Sequence, residues 1–215
     1  MTEWVRNNPV PVITEIIRIL PDALVFTSGL FSVLTTSYPQ FVFFVSLLES
    51  VGIFYILRNL LFLQQSKGAA SAQCRSGFNS ATFSSLSLFK LDTSAFPSAP
   101  LYMTSVAASY LINSLSNQMK ELELLGPDFV LKFYLSIVSL FLVIFFIASY
   151  RMMNNCDSLL AVISSIAAGM AVGMVLIMQN NSLLGSTSTN LTGIPLLRNK
   201  TATGEQIYIC SKSSS

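Results

Sequence analysis

Uncharged, mostly apolar runs recur along this chain at the length that a helix needs to cross a lipid bilayer. No charged residue lies between Ala23 and Leu48, and the 18 residues between Lys132 and Arg151 are all uncharged. About 20 such residues span the hydrocarbon core as an α-helix, and only helices or closed barrels satisfy their backbone groups there. Because 52% of the residues are hydrophobic and 10% are charged, the sequence predicts an all-α, multi-pass integral membrane protein with lipid as its first partner.

The composition also excludes several classes of function. The chain has no histidine, which removes the commonest zinc ligand and general base and rules out Ser-His-Asp and Cys-His catalysis. Its three cysteines form no CxxC pair, so we predict no metal and no other cofactor. The net charge of +2 comes without a dense basic patch, so the sequence does not indicate a nucleic-acid partner.

The cysteines allow two interpretations. A disulfide between Cys74 and Cys210 could form if both face one oxidising compartment. Otherwise Cys74, Cys156 and Cys210 are all free thiols, which is the interpretation that we favour.

The first 63 residues predict a short surface helix followed by two spans. Residues 1–22 carry apolar residues at helical spacing opposite charged ones, which is typical of an amphipathic segment in the headgroup plane, and Pro21 is expected to end it. Residues 23–63 then predict a hairpin of two spans, Ala23–Ser37 and Phe41–Leu63, with a turn at Tyr38-Pro39-Gln40. The alternative is one span that is kinked at Pro39.

Residues 64–128 predict a serine-rich aqueous loop and one long amphipathic helix. The helix, Pro100–Leu125, carries a polar stripe that is too rich for a lipid-exposed span, so we place it on the membrane surface, ending at Gly126-Pro127. Aromatic residues scattered in the loop could either dock on another protein or pack on the chain's own helices. The candidate partner contacts, together with two residues of the tail, are Phe78, Phe83, Phe89, Arg198 and Tyr208.

Residues 129–179 predict a second two-span hairpin. Its spans are Phe133–Tyr150 and Leu159–Met178, and Asp157 is a good N-cap for the second. Small residues recur every four positions along the second span, which lets another helix approach closely: Ala161, Ser165, Gly169 and Gly173. We expect the preceding span to be the partner, and a homo-oligomer is the alternative.

Residues 180–215 form a polar tail, in which Ile207 to Cys210 predict a short extended element.

Positive charges set the predicted topology, because basic residues concentrate on the cytoplasmic side of a membrane. If Pro100–Leu125 lies on the surface, all Lys and Arg residues except Arg151 lie on or nearest one side, which is eleven of the twelve. If that helix crosses instead, the split is seven to five. We therefore predict four spans with both termini cytoplasmic. Asn-X-Ser/Thr tripeptides at Asn180, Asn190 and Asn199 would favour a lumenal tail, but such tripeptides are frequent by chance in this composition.

Glu49 is the only acid well inside a predicted span. An ionised carboxylate at that depth costs a few kcal/mol on insertion scales, so Glu49 should be protonated or paired. Either it belongs to a proton or ion path, as in a small transporter or channel, or it makes a hydrogen bond to a Ser or Thr of a neighbouring helix.

The segment Phe96-Pro97-Ser98-Ala99-Pro100 resembles the PSGH signature of membrane-bound lipid phosphatases. That chemistry requires a nucleophilic histidine, a second histidine and an arginine on the phosphate, and this chain has no histidine. No phosphate-binding glycine loop or serine elbow occurs either. We therefore predict that the protein is not an enzyme.

Five stretches together resemble a family of multi-pass membrane proteins of large icosahedral double-stranded DNA viruses, the nucleocytoplasmic large DNA viruses such as chloroviruses. They are CRSGFNSATFSSLSLF, FPSAPLYMTSVAASYL, KELELLGP, SYRMMNNCDS and GIPLLRNKTATGEQIYIC, between residues 74 and 210. The resemblance implies a minor capsid protein in the internal virion membrane, derived from host endoplasmic reticulum, that tethers this membrane to the capsid shell. Its implied partners are other capsid or membrane proteins, contacted through residues 64–125 and 190–210. A membrane adaptor of a cellular assembly is a further hypothesis.

Overall fold

The computed structural model describes residues 9–61, 74, 76, 88–89, 97–119, 122–123, 126–185 and 188–191. The long helices in these ranges are α1 (Pro9–Thr35), α2 (Tyr38–Leu61), α3 (Ala99–Ser116), α4 (Pro127–Met153) and α5 (Leu159–Leu184). All of them except α3 are long and apolar enough to cross a membrane. The predicted all-α membrane fold is confirmed. The extended element predicted at Ile207 to Cys210 lies outside the described residues.

Helix α1 is continuous through Pro21, so the predicted end of an N-terminal surface helix at this proline is wrong. Proline removes one backbone hydrogen bond inside a helix, but the side chains around it are held by the bundle. Arg18 and Asp22 are buried, and a carboxylate oxygen of Asp22 accepts a hydrogen bond from the Leu88 backbone N–H at 2.9 Å. These contacts compensate for the hydrogen bond that Pro21 removes from the helix. The first span therefore begins at Val12 rather than at the predicted Ala23.

The first hairpin is confirmed as two helices, but its turn lies earlier than predicted. Thr36 and Ser37 connect α1 to α2, and Thr36 has a φ of 47°. Pro39 lies in the first turn of α2, where a missing backbone N–H removes no helical hydrogen bond.

Helix α3 lies at the centre of the bundle, so its predicted position on the membrane surface is wrong. Every residue from Ala99 to Tyr110 is buried. The polar stripe of α3, which is unsuited to lipid, faces other helices instead. The apolar side chains of α3 form the core with residues of α1, α2 and α5. The helix ends at Ser116 rather than Leu125, and part of the remaining predicted stretch lies outside the described residues.

Contacts along α3 show that it runs parallel to α5 and crosses the bundle. Near its start, the Ser98 N–H donates to Ser165 Oγ at 2.8 Å. Near its end, the Tyr110 hydroxyl lies 2.9 Å from Asn180 Nδ2. The two ends of α3 therefore lie at opposite ends of the bundle. We call them the disulfide end, which includes Ser98 and the turn after α4, and the tail end, which includes residues 188–191.

A disulfide joins Cys74 to Cys156, with 5.3 Å between the Cα atoms. Both alternatives for the cysteines, a Cys74–Cys210 bond and three free thiols, are therefore wrong. The four-span topology placed Cys74 and the turn that holds Cys156 on opposite sides of the membrane. Because α3 runs through the bundle, both lie at the disulfide end, and the predicted arrangement with residues 64–128 on the side opposite the turn after α4 does not fit the structure.

The second hairpin is confirmed with longer helices and a different N-cap. Ser158, not Asp157, caps α5, because its hydroxyl accepts from the Ala161 N–H at 3.2 Å. Asp157 is used elsewhere: its carboxylate forms a buried ion pair with Arg151.

Loss of the disulfide is expected to lower the free energy of unfolding by about 2–4 kcal/mol, because the bond limits the freedom of the unfolded chain. The measurement is unfolding of Cys74→Ser in mixed detergent micelles, with Cys210→Ser as the matched control that leaves stability unchanged. Proteolysis without reduction should release one linked peptide pair that contains Cys74 and Cys156. A linked pair with Cys210 would contradict the assignment.

Candidate functional site

The small-residue stripe of α5 packs against the central helix α3. A Cβ added to Gly169 would lie 2.5 Å from the Tyr102 carbonyl oxygen, and one added to Gly173 would lie 2.5 Å from the Val106 carbonyl oxygen. The prediction that the preceding span packs on this stripe is therefore wrong, because α3 does. Both glycines are also buried, so they are not available to a second copy of the chain.

Ser165 and Ala161 continue this stripe at the disulfide end. The Ser165 hydroxyl donates to the Ala161 carbonyl at 2.6 Å while its oxygen accepts from the Ser98 N–H at 2.8 Å. The stripe thereby fixes the start of α3 as well as its close approach to α5. Sequence reasoning found these four residues but not their partner, because it placed α3 outside the bundle.

Several polar side chains inside the bundle bond to one another or to carbonyl groups of neighbouring elements, whereas the buried Ser105 hydroxyl has no such bond. Asn180 Nδ2 donates to Ser46 Oγ at 2.7 Å and to the Tyr110 hydroxyl at 2.9 Å, which joins α5 to α2 and α3. The Ser109 hydroxyl donates to the Met170 carbonyl at 2.8 Å. Sequence reasoning missed this network, although the polar stripe of α3 was the signal for it.

Two sets of polar contacts lie toward the disulfide end. Arg151 and Asp157 bury their charged groups there, with side-chain exposures of 4% and 5%, and two guanidinium nitrogens donate to the two carboxylate oxygens. The Tyr55 hydroxyl donates to the Leu88 carbonyl, next to the bond from Leu88 to Asp22. These contacts hold Leu88, from the segment between α2 and α3, against the helices.

The segment that resembles the PSGH signature opens α3. Ser98 is the N-cap of this helix and is buried, but its hydroxyl caps no backbone N–H. Among the residues that the structure describes, no three His, Cys, Asp or Glu side chains come together as a metal site.

Phe89 is a core residue. Its side chain is fully buried, and its ring centroid lies 5.4 Å from that of Phe54. The aromatic residues of the loop were expected either to dock on another protein or to pack on the chain's own helices. Phe89 packs on the chain's own helices. The other candidate partner contacts, Phe78, Phe83, Arg198 and Tyr208, lie outside the described residues.

Glu49 lies on the outer surface of α2 and is exposed. The two serines near it bond to their own helix: the Ser46 hydroxyl donates to Val42 and the Ser50 hydroxyl to Leu47. Glu49 makes no hydrogen bond or ion pair with any residue in the described ranges. The described residues therefore show no bond from Glu49 to a neighbouring Ser or Thr, and its role in a proton or ion path stays a prediction.

Comparison of the chain with protein-family models, with curated proteins and with solved structures gives no match.

Proposed function

We propose that this chain is a structural membrane protein of a virus particle, which anchors the internal membrane to the capsid shell. The resemblance of residues 74–210 to virion membrane proteins motivates the proposal. The observation that carries it is the buried central helix: side chains of Ser109, Tyr110 and Ser114 on α3 bond to neighbouring elements, as suits a static anchor. Two long segments, residues 62–98 and the chain after Leu191, connect to this bundle.

The position of Glu49 gives the transport hypothesis no support. A carboxyl group that binds an ion or proton in a transporter faces the interior of the helix bundle or a water-filled cavity. Glu49 is instead exposed on α2. An anchoring role needs no such path.

The disulfide suggests how the anchor is oriented. Disulfides persist where the compartment is oxidising, so the disulfide end would face the lumen and the tail end the cytoplasm. Asn180 and Asn190 at the tail end are buried, so the tripeptides that start there are poor glycosylation acceptors and do not argue for a lumenal tail.

In a membrane derived from endoplasmic reticulum, the cytoplasmic face would meet the shell. The shell contacts would then belong to the tail end, which includes the start of α4 and residues 188–191, from which the rest of the chain continues. Residues 62–98 connect to the bundle at the opposite end. Of the two regions that the sequence predicts to contact capsid proteins, residues 64–125 and 190–210, this orientation therefore favours the second.

Lysine-directed cross-linking of intact virions with mass spectrometry tests the proposal. We expect the protein at fixed stoichiometry in purified particles, with links to shell proteins from Lys132 and from the lysines after Leu191. Lys67 and Lys90, between α2 and α3, are the internal control and should give no shell links. Absence from purified particles would overturn the virion role, and shell links confined to residues 62–98 would overturn the orientation.

A further inference from the structure

One face of α2 is left uncovered by the other described helices. We call it the outer α2 face. Its exposed residues follow helical spacing from one end of α2 to the other and are apolar except near Glu49 and at the far end: Tyr38, Phe41, Leu48, Glu49, Gly52, Ile56 and Asn59.

Glu49 lies near the middle of this face and of the span Tyr38–Asn59. At 1.5 Å per residue it is roughly 15 Å from either end of the span, which is too far for the carboxyl group to reach the headgroups. In hydrocarbon the group is strongly disfavoured unless it is neutral and hydrogen-bonded or paired. No described residue of the chain bonds to it, so in these ranges its carboxyl group is open to a partner from a second copy.

We propose that the outer α2 face is the interface between two copies of this chain in the membrane, with their Glu49 carboxyl groups hydrogen-bonded to each other. Copies inserted in the same direction and related by a twofold axis along the membrane normal place the same residue at the same depth. A protonated carboxyl group is both donor and acceptor. Glu49 is therefore complementary to itself, and no basic residue lies at that depth in the described spans.

Gly52 allows two copies of α2 to approach closely beside Glu49. It lies almost one turn further along the helix on the same face, and a Cβ added to it would meet nothing within 4 Å. Small residues at such positions let helix backbones come near enough for interhelical hydrogen bonds. Gly169 and Gly173, which the sequence analysis considered as the contact of a homo-oligomer, are covered by α3. Gly52 is therefore the small residue at the proposed contact between copies.

Sedimentation equilibrium of the full-length protein in density-matched detergent micelles tests the pairing. We expect a dimer for the natural chain and for Glu49→Gln, because an amide is also both donor and acceptor. Glu49→Leu and Gly52→Leu should each weaken the dimer about tenfold or more, the first by loss of the hydrogen bonds and the second by steric separation of the helices.

Ala171→Leu is the matched control. It also introduces a leucine at an exposed helix position, but on α5 and therefore outside the outer α2 face. Near-ultraviolet circular dichroism checks that every variant remains folded. A monomeric natural protein, dimers unaffected by both leucine substitutions at Glu49 and Gly52, or equal loss in Ala171→Leu would each overturn the proposal. The pairing does not depend on the virion role, since it would hold in any membrane.

Discussion

Asp157→Asn is expected to lower the free energy of unfolding by about 3–5 kcal/mol, the usual cost of leaving one member of a buried ion pair without its partner. Both side chains are almost fully buried, at 4% and 5% exposure, so water cannot replace the lost carboxylate. The measurement is reversible unfolding in mixed detergent and SDS micelles, followed by the near-ultraviolet circular dichroism of the buried tyrosines Tyr102 and Tyr110.

A double substitution separates the charge from the packing at this pair. Arg151→Met with Asp157→Leu removes both charges, so it should be less destabilising than Asp157→Asn alone. Glu15→Gln is the control for an ion pair with an exposed partner, since the Glu15 side chain is 56% exposed, and it should cost no more than about 1 kcal/mol. Equal effects of Asp157→Asn and Glu15→Gln would contradict the buried pair.

Gly169→Ala is expected to destabilise the bundle by about 3 kcal/mol, at the upper end of the range for overpacking. The added Cβ would lie 2.5 Å from the Tyr102 carbonyl oxygen and 2.8 Å from Ser105 Cβ. Because the nearest atom belongs to the backbone of α3, the two helices must move apart to accept it. The same micelle unfolding experiment measures the loss, and Gly173→Ala should behave alike.

Gly52→Ala, measured at a detergent excess that keeps the chain monomeric, is the matched control for this substitution. It also adds one methyl group to a glycine inside a helix, but nothing lies within 4 Å of the new atom. Alanine is favoured over glycine in a helix by about 1 kcal/mol, so Gly52→Ala should leave the bundle as stable or more stable. If Gly169→Ala is equally harmless, the close contact between α3 and α5 is not the one described.

The sequence was sufficient where lipid dictates the pattern. The hydrophobic runs around α2, α4 and α5 identified their spans, because a helix in hydrocarbon must present apolar side chains over most of its surface. It was insufficient at α3 and Pro21. The polar stripe of α3 has the same pattern whether it faces headgroup water or other helices, and local chemistry alone predicts a helix end at Pro21.

The amino-acid sequence by itself determined that this protein is a bundle of membrane-spanning helices and that α5 carries a face for close packing. Only the tertiary structure decided which helix meets that face, that α3 lies inside the bundle, which cysteines bond and that Glu49 is exposed. The physical reason is that the free energy of placing a helix in lipid depends mainly on the side chains of that helix alone. Contacts such as Gly169 with Tyr102, or Cys74 with Cys156, depend on how distant segments are arranged together.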